Sequence, residues 1–60
     1  MMEFMDICTR CAQWRLECGY TQKQIADKLN VSPETISAFE HGRTNNARVL
    51  SWYIEHGFKL

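Results

Sequence analysis

The sequence predicts a small all-α domain built from four helices, and three observations support this fold class. Apolar residues recur at helical spacing along the chain. Capping and stop residues divide it into short segments. With 60 residues and no internal repeat, low-complexity segment or linker, residues 1–60 are expected to form one domain around a single small core.

The first predicted helix runs from about Glu3 to Glu17. Its apolar residues fall within a stripe about a third of a turn wide, at 100° per residue. Gly19 ends the helix because glycine accepts left-handed geometry, and Tyr20 can fold back onto the core. The stripe consists of Phe4, Ile7, Cys8, Cys11, Trp14 or Arg15, and Cys18.

The second predicted helix begins with a capping box. Thr21 accepts a hydrogen bond from the backbone N–H of Gln24, and the Gln24 side chain reaches back to the cap. The helix stops at about Leu29, since Asn30 tolerates the left-handed conformation of a sharp exit. Its inward face is apolar: Ile25, Ala26 and Leu29.

The third predicted helix follows after a short turn. Ser32 offers an N-cap oxygen, and Pro33 suits the first helical position because its missing N–H has no partner there. Ile36 and Phe39 form a face that can pack on the second helix. His41-Gly42 ends the third helix.

The fourth predicted helix comes after a polar loop from Arg43 to Ala47, which is rich in Asn and Thr. It runs from about Ala47 to His56 and stops before Gly57. We expect four of its residues to face the core: Val49, Leu50, Tyr53 and Ile54.

The segment from Thr21 to Arg43 is thus two short helices around a tight turn, the arrangement of a DNA-binding helix-turn-helix. From about Arg15 to Ile54 the chain resembles the lambda-repressor-like helix-turn-helix family of phage repressors and Cro proteins. Relatives commonly add a fifth helix, so we expect a truncated, four-helix version. The resemblance depends on Thr21-Gln22, Ile25-Ala26, Val31-Ser32, Ile36 and Glu40-x-Gly42-Arg43.

The resemblance implies that a recognition helix at about Ser32–His41 enters the major groove of double-stranded DNA. Ser32, at the start of this helix, is implied to contact DNA, and Pro33, Glu34, Thr35 and Ala38 would face the bases. Glu34 can accept a hydrogen bond from cytosine N4, whereas Ala38 and the Thr35 methyl can touch thymine methyls. Alternatively, Glu34 only complements the helix dipole.

Four further residues are implied to contact the DNA backbone or minor groove. Gln22 would clamp a phosphate, Arg43 and His41 would meet phosphates, and Arg48 would enter an A·T-rich minor groove. Alternatively, Gln22, Arg43 and Arg48 are simply solvated side chains. His41 would then only interact favourably with the helix dipole near the end of the third helix. The resemblance also implies a buried ion pair between Arg15 and Glu40.

Charge is the main observation against DNA binding. Seven basic and seven acidic residues give a net charge of zero, so the chain lacks the overall positive field of most nucleic-acid binders. Arg43 and Arg48 nevertheless flank positions 44–47, which carry no acid. A local basic patch is therefore compatible with a net charge of zero.

The cysteines allow a metal hypothesis, because Cys8 and Cys11 lie one helical turn apart and Cys18 follows. A structural zinc site needs four suitably spaced donors, and only His41 and His56 could add to the thiols. We expect buried, inert thiols without disulfide, metal or cofactor. No catalytic constellation or glycine-rich phosphate loop is present in the sequence, so we do not expect an enzyme.

Targeting signals are lacking too. No apolar run approaches the roughly 20 residues that cross a bilayer. The start of the sequence lacks the features of a secretory signal, so we expect a cytoplasmic protein without membrane contact.

Trp52 and Phe58 remain after the core is assigned. Exposed aromatic residues are enriched at protein contacts, so these two are candidates for a subunit or partner interface, unless they simply cover the small core.

The first functional hypothesis is a sequence-specific DNA-binding transcriptional regulator from a phage or bacterium, acting as a homodimer. The alternative is a protein-interaction module, such as an antirepressor or polymerase-binding factor.

Overall fold

The computed structural model describes residues 3–60, which form four α-helices and confirm the predicted all-α class. The bounds differ from the predicted ones by single residues. No helix in residues 3–60 is long and apolar enough to span a membrane. The helices are α1 (Phe4–Cys18), α2 (Gln22–Leu29), α3 (Pro33–Glu40) and α4 (Ala47–Glu55).

Each helix is followed within two residues by a residue with positive φ, and α3 shows how the end is closed. Gly42 has φ 73°, and its N–H donates to the Phe39 carbonyl at 3.0 Å. The Arg43 N–H donates to the Ala38 carbonyl at 2.9 Å, which completes a Schellman motif. A Cβ on Gly42 would lie 2.9 Å from Cγ of Met5, so both conformation and space favour glycine here. The corresponding residues of α1, α2 and α4 are Gly19, Asn30 and Gly57.

The core lies between α1 and the other three helices. Ile25, Ile36 and Phe39 are fully buried, so α2 and α3 pack through the predicted faces. Partly buried side chains extend the core outward, and Leu29 is one of them. The buried set is Cys8, Cys11, Ile25, Ala26, Ile36, Phe39, Val49, Trp52, Tyr53 and Phe58.

The face predicted for α4 was correct at Val49 and Tyr53, which are fully buried, and at Leu50, which packs partly buried against the core, but it was wrong at one edge. Trp52 is buried at 5% exposure, whereas Ile54 is 43% exposed. The buried face is therefore turned by roughly 80° from the predicted one, at 100° per residue. Trp52 is drawn inward because its ring packs edge-on against Trp14 and Tyr20, at centroid distances of 6.3 and 5.2 Å.

Phe58 also belongs to the core, at 4% exposure. Its N–H donates to the Tyr53 carbonyl at 2.9 Å, which turns the chain back after α4. The Phe58 ring then packs edge-on against Trp14, with centroids 6.5 Å apart. Two alternatives were open for Trp52 and Phe58, a partner interface or a cover of the small core, and their burial supports the second.

The three cysteines divide into two groups. Cys8 and Cys11 are fully buried, as expected. Cys18 is exposed, which corrects the prediction of a third core thiol. It occupies the last position of α1, where the apolar stripe continues in sequence but no other helix covers it.

Candidate nucleic-acid interface

Helix α3 is held at its C-terminal end by the carboxylate of Glu40, which is 8% exposed. Arg15 Nε donates to Oε2 at 2.7 Å and Arg15 Nη2 donates to Oε1 at 3.2 Å. The ion pair implied by the resemblance therefore forms in the structure, with both carboxylate oxygens engaged. Such two-point contact fixes orientation as well as distance.

Two further donors reach the same carboxylate, and sequence analysis found neither contact. Tyr53 donates its hydroxyl hydrogen to Oε2 at 2.5 Å, and Gln22 Nε2 donates to Oε1 at 3.0 Å. Arg15, Gln22, Glu40 and Tyr53 come from α1, α2, α3 and α4, respectively. One carboxylate consequently joins all four helices. We call these four residues the Glu40 cluster.

The ionisation of the Glu40 cluster follows from these contacts. Burial alone would raise the pKa of Glu40, but hydrogen bonds from Arg15, Tyr53 and Gln22 outweigh burial and lower that pKa. The hydrogen bond to Glu40 raises the pKa of Arg15 against the opposing effect of burial. Burial, followed by the bond to Glu40, raises the pKa of Tyr53. The cluster thus contains a charged pair and a neutral phenol.

Arg15 also fixes the chain that leads into α2. Its Nη1 donates to the Tyr20 carbonyl at 2.9 Å, directly before the N-cap Thr21. The predicted capping box is present, with Gln24 N–H donating to Thr21 Oγ1 at 3.0 Å and Thr21 N–H to Gln24 Oε1 at 2.8 Å. The start of α2 is therefore fixed by Arg15 before the N-cap and by the capping box at it.

The turn between α2 and α3 depends on Asn30, which adopts φ 58°. The Val31 N–H returns to the Ala26 carbonyl at 3.0 Å. Ser32 occupies the N-cap of α3 but does not cap it with its side chain, which corrects the predicted role of its hydroxyl. Ser32 Oγ instead lies 3.1 Å from Thr35 Oγ1, so one of the two hydroxyls donates to the other.

The outward side of α3 carries the residues expected to face DNA. Ser32, Pro33 and Glu34 are exposed, and Thr35 and Ala38 are half-buried. On the inward side, Ile36, Phe39 and Glu40 are buried. The helix thus separates a packed inner side from an accessible outer side, which we call the outer face of α3.

The residues expected near the DNA backbone have different surroundings. Gln22 is half-buried, with its amide turned to Glu40 rather than free. His41 is exposed and its Nδ1 lies 2.8 Å from the Ser37 carbonyl, which directs the other ring nitrogen away from α3. Arg43 is exposed at the Schellman turn that ends α3.

Arg48 contacts the protein as well as solvent. Its Nη2 donates to the carbonyl of Leu29, the last residue of α2, at 2.8 Å. Asn46 caps α4 by accepting from the N–H groups of Arg48 and Val49 at 3.1 and 3.3 Å. The Arg48 guanidinium is thereby held beside the turn of the helix-turn-helix rather than extended from α4.

Within residues 3–60 no group of three His, Cys, Asp or Glu side chains is arranged to hold a metal ion. Burial raises the pKa of Cys8, and burial with the neighbouring Cys8 raises the pKa of Cys11 to about 12. A high thiol pKa keeps these side chains protonated and therefore unreactive at neutral pH.

Comparison with known protein families agrees with this geometry. A family model described as helix-turn-helix, of the Cro/C1 type, matches residues 12–48. The match contains α2, α3, the turn between them and the Arg15–Glu40 pair. The family is one of DNA-binding regulators and is not normally enzymatic. Comparisons with curated proteins and with solved structures gave no match.

Proposed function

Because the chain belongs to the helix-turn-helix family, we propose that it is a sequence-specific regulator of transcription that acts on double-stranded DNA in a phage or bacterium. In this proposal the outer face of α3 enters the major groove, as recognition helices of this motif do. The observation that carries the proposal is the division of α3 into a fixed inner side and an accessible outer side.

The inner side matters because base recognition needs a helix of fixed orientation. Glu40 accepts hydrogen bonds from α1, α2 and α4, so α3 has little freedom to rotate about its axis. At its other end, Asn30 closes the turn onto α2. These constraints support a role in reading bases rather than only binding phosphates.

Basic residues support backbone contacts on either side of α3. Arg43 follows the C-terminal end of α3, and Arg48 lies beside the turn at its N-terminal end through its bond to Leu29. Lys23 in the first turn of α2 is also exposed. Cations at both ends of a recognition helix are suited to the two phosphate ridges that border a major groove.

We further propose that the regulator binds as a homodimer. One helix reads only a few base pairs, and two copies on a palindromic site would supply the specificity that a genome requires. The dimer contact does not involve Trp52 and Phe58, since both side chains are buried within one copy.

A protein-interaction role is the second candidate, favoured by two observations. The net charge is zero, and the exposed Glu34 in the first turn of α3 would approach phosphates. An antirepressor or polymerase-binding factor would tolerate both features. The burial of Trp52 and Phe58 removes the exposed aromatic surface that had also favoured this role.

Selection from a random pool of DNA duplexes at low salt separates the two candidates. We expect a common motif to be enriched, and the enriched duplex to bind more tightly than a scrambled duplex of equal composition. Fluorescence anisotropy at two salt concentrations measures the difference. Retention of no duplex above background at low salt would rule out the DNA-binding proposal and favour a protein partner.

A further inference from the structure

The outer face of α3 lacks the side chains that usually read purines. Arginine and lysine pair with guanine at two points, and asparagine and glutamine pair with adenine in the same way. None of these four residue types occurs between Ser32 and His41. The accessible side chains in this range are short hydroxyls, one imidazole, the Glu34 carboxylate and apolar groups. Any base preference of this face must therefore come from these groups.

The hydroxyls and the imidazole of this face already have partners in the protein. Ser32 Oγ and Thr35 Oγ1 lie 3.1 Å apart, so one of them donates to the other. His41 follows the last residue of α3, and its Nδ1 lies 2.8 Å from the Ser37 carbonyl. A hydroxyl both donates and accepts, so it discriminates little between bases. The carboxylate of Glu34 is the group with the sharper preference.

Glu34 is exposed in the first turn of α3. Among residues 3–60 its carboxylate has no hydrogen bond or ion pair. A carboxylate only accepts hydrogen bonds. In the major groove cytosine offers the N4 donor without an adjacent acceptor, whereas guanine and thymine present acceptors and adenine places its N7 acceptor beside its N6 donor. The base that suits Glu34 is therefore cytosine.

Methyl groups lie next to Glu34 on the outer face. Ala38 follows Glu34 by four positions and Thr35 by three, spacings that bring Cβ atoms to roughly 5–6 Å on a helix surface. Both residues are half-buried. Because the Thr35 hydroxyl is turned to Ser32, the Thr35 methyl group occupies a different staggered position. We call Glu34, Thr35 and Ala38 the acid–methyl patch.

The chemistry of cytosine matches both parts of this patch. Its N4 amino group is attached to C4, and the neighbouring C5 also faces the major groove. Thymine carries a methyl group at C5, but its O4 acceptor would repel a carboxylate. Cytosine offers the N4 donor without the methyl group. A cytosine methylated at C5 presents the donor and the methyl group side by side.

We propose that the acid–methyl patch recognises 5-methylcytosine in double-stranded DNA. Glu34 accepts a hydrogen bond from N4, and the methyl groups of Thr35 and Ala38 contact the methyl group at C5. The proposal rests on the proposed DNA-binding function and names the base that the outer face of α3 reads. Glu34 repels the phosphates of every duplex, so its carboxylate contributes selectivity rather than general affinity.

Duplexes with modified cytosines test the proposal on the full chain. Each cytosine of the duplex enriched from the random pool is replaced in turn by 5-methylcytosine or by N4-methylcytosine, both of which still pair with guanine. Fluorescence anisotropy measures the affinity. At one cytosine, methylation at C5 should tighten binding about fourfold, the effect of burying one methyl group. Methylation at N4 should weaken it about tenfold there, because the methyl group replaces the hydrogen that faces Glu34.

Two variants separate the parts of the patch. Glu34→Ala should abolish the loss caused by N4-methylation while keeping most of the gain from C5-methylation. Thr35→Ser keeps the hydroxyl beside Ser32 but removes the methyl group, so it should reduce that gain to less than about twofold and leave the N4 effect intact. Thr9→Ser makes the same change at an exposed position of α1 and should alter neither effect.

The results distinguish this proposal from the DNA-binding function on which it rests. Equal affinity for cytosine and 5-methylcytosine at every position would overturn the proposal while leaving DNA binding established. A gain from C5-methylation that Thr35→Ser does not reduce, or an N4 effect that survives Glu34→Ala, would overturn it as well. Enrichment of no duplex from the pool would instead reject the DNA-binding function itself.

Discussion

Tyr53 of α4 donates its hydroxyl hydrogen to Oε2 of Glu40 in α3, across 2.5 Å and with both side chains buried. The same oxygen accepts from Arg15 Nε at 2.7 Å. The fourth helix therefore helps to orient α3, the proposed recognition helix, although α4 lies outside the helix-turn-helix itself. This contact makes the stability of the domain sensitive to a single oxygen atom of α4.

Tyr53→Phe should lower the free energy of unfolding by about 1.5–3 kcal/mol, the usual contribution of a hydrogen bond to a charged group. The ring and its packing are retained, so the loss reports the hydroxyl. Urea denaturation measures the difference. Tyr20→Phe makes the same change in the half-buried ring that stacks on Trp14. It should lower the free energy of unfolding by less. Equal losses in the two variants would contradict a specific role for the Tyr53–Glu40 bond.

Arg15→Ala should cost about 3–5 kcal/mol, because Glu40 would keep a buried charge without its cation. A domain of this size has a total stability of about 3–9 kcal/mol, so this loss is a large part of the total and the melting temperature should fall steeply. Circular dichroism during a thermal melt shows the loss. Lys28→Ala removes an exposed cation from α2 and should change stability by less than about 0.5 kcal/mol. A melting temperature unchanged by Arg15→Ala would contradict the structural role of the pair.

Stability should fall at alkaline pH because the buried thiols stay protonated in the folded state. Burial raises the pKa of Cys11 from its ordinary value of 9.0 to about 12 in the fold, so above pH 9 the unfolded chain releases a proton that the folded chain retains. The free energy of unfolding should then decline by about 1.4 kcal/mol per pH unit from this source. The pKa of Cys8 is raised as well and adds to the decline.

Urea denaturation between pH 8 and pH 11 should show a smaller decline for Cys11→Ala than for the wild type. Cys18→Ala is the matched control, because that thiol is exposed, and its decline should equal that of the wild type. A decline unaffected by Cys11→Ala would show that this thiol is not the source.

Arg43→Ala should weaken binding to every duplex alike, because phosphate contacts carry no sequence information. The slope of log affinity against log salt concentration should shrink by about one. Lys59→Ala removes an exposed cation on the other side of α1 and should leave the slope unchanged. A change of preferred sequence in Arg43→Ala would instead indicate a base contact.

Glu34→Ala removes a candidate base contact together with an acidic repulsion. It should relax the preference at one base pair while nonspecific affinity stays the same or rises. Single-substituted duplexes reveal the position concerned. Glu55→Ala, which removes an exposed acid from α4, should leave every base preference unchanged. An unaltered preference in Glu34→Ala would mean that Glu34 only complements the helix dipole.

Features of the fold that depend on neighbouring residues were predictable from the sequence. The capping box between Thr21 and Gln24 and the stops at Gly19 and Gly42 each need only a few consecutive residues, and all are present. The Arg15–Glu40 pair joins residues 25 positions apart, and it was accessible only through the family resemblance. Residue spacing alone does not predict the contact between Arg15 and Glu40.

Errors arose where packing depends on distant parts of the chain. The orientation of α4 is decided by Trp14 of α1 and by the return of Phe58, neither of which affects the periodicity of α4. Cys18 lies in the apolar stripe of α1 but beyond the helices that could cover it. Tyr53 was expected in the core, yet its polar partner depends on how α3 and α4 cross. The periodicity of a helix shows which residues are apolar, but the elements that pack against the helix decide which of them are buried.

The division of α3 into two sides has a consequence for how such a protein can diversify. Pro33 and Glu34 are exposed, while Ile36, Phe39 and Glu40 keep the helix in place. Exchanging the exposed pair leaves the buried contacts untouched, so most replacements there should preserve the fold. Under the proposed function, a lineage carrying this scaffold could therefore acquire a new target site through very few codon changes, with the cost of each trial limited to lost binding rather than lost structure.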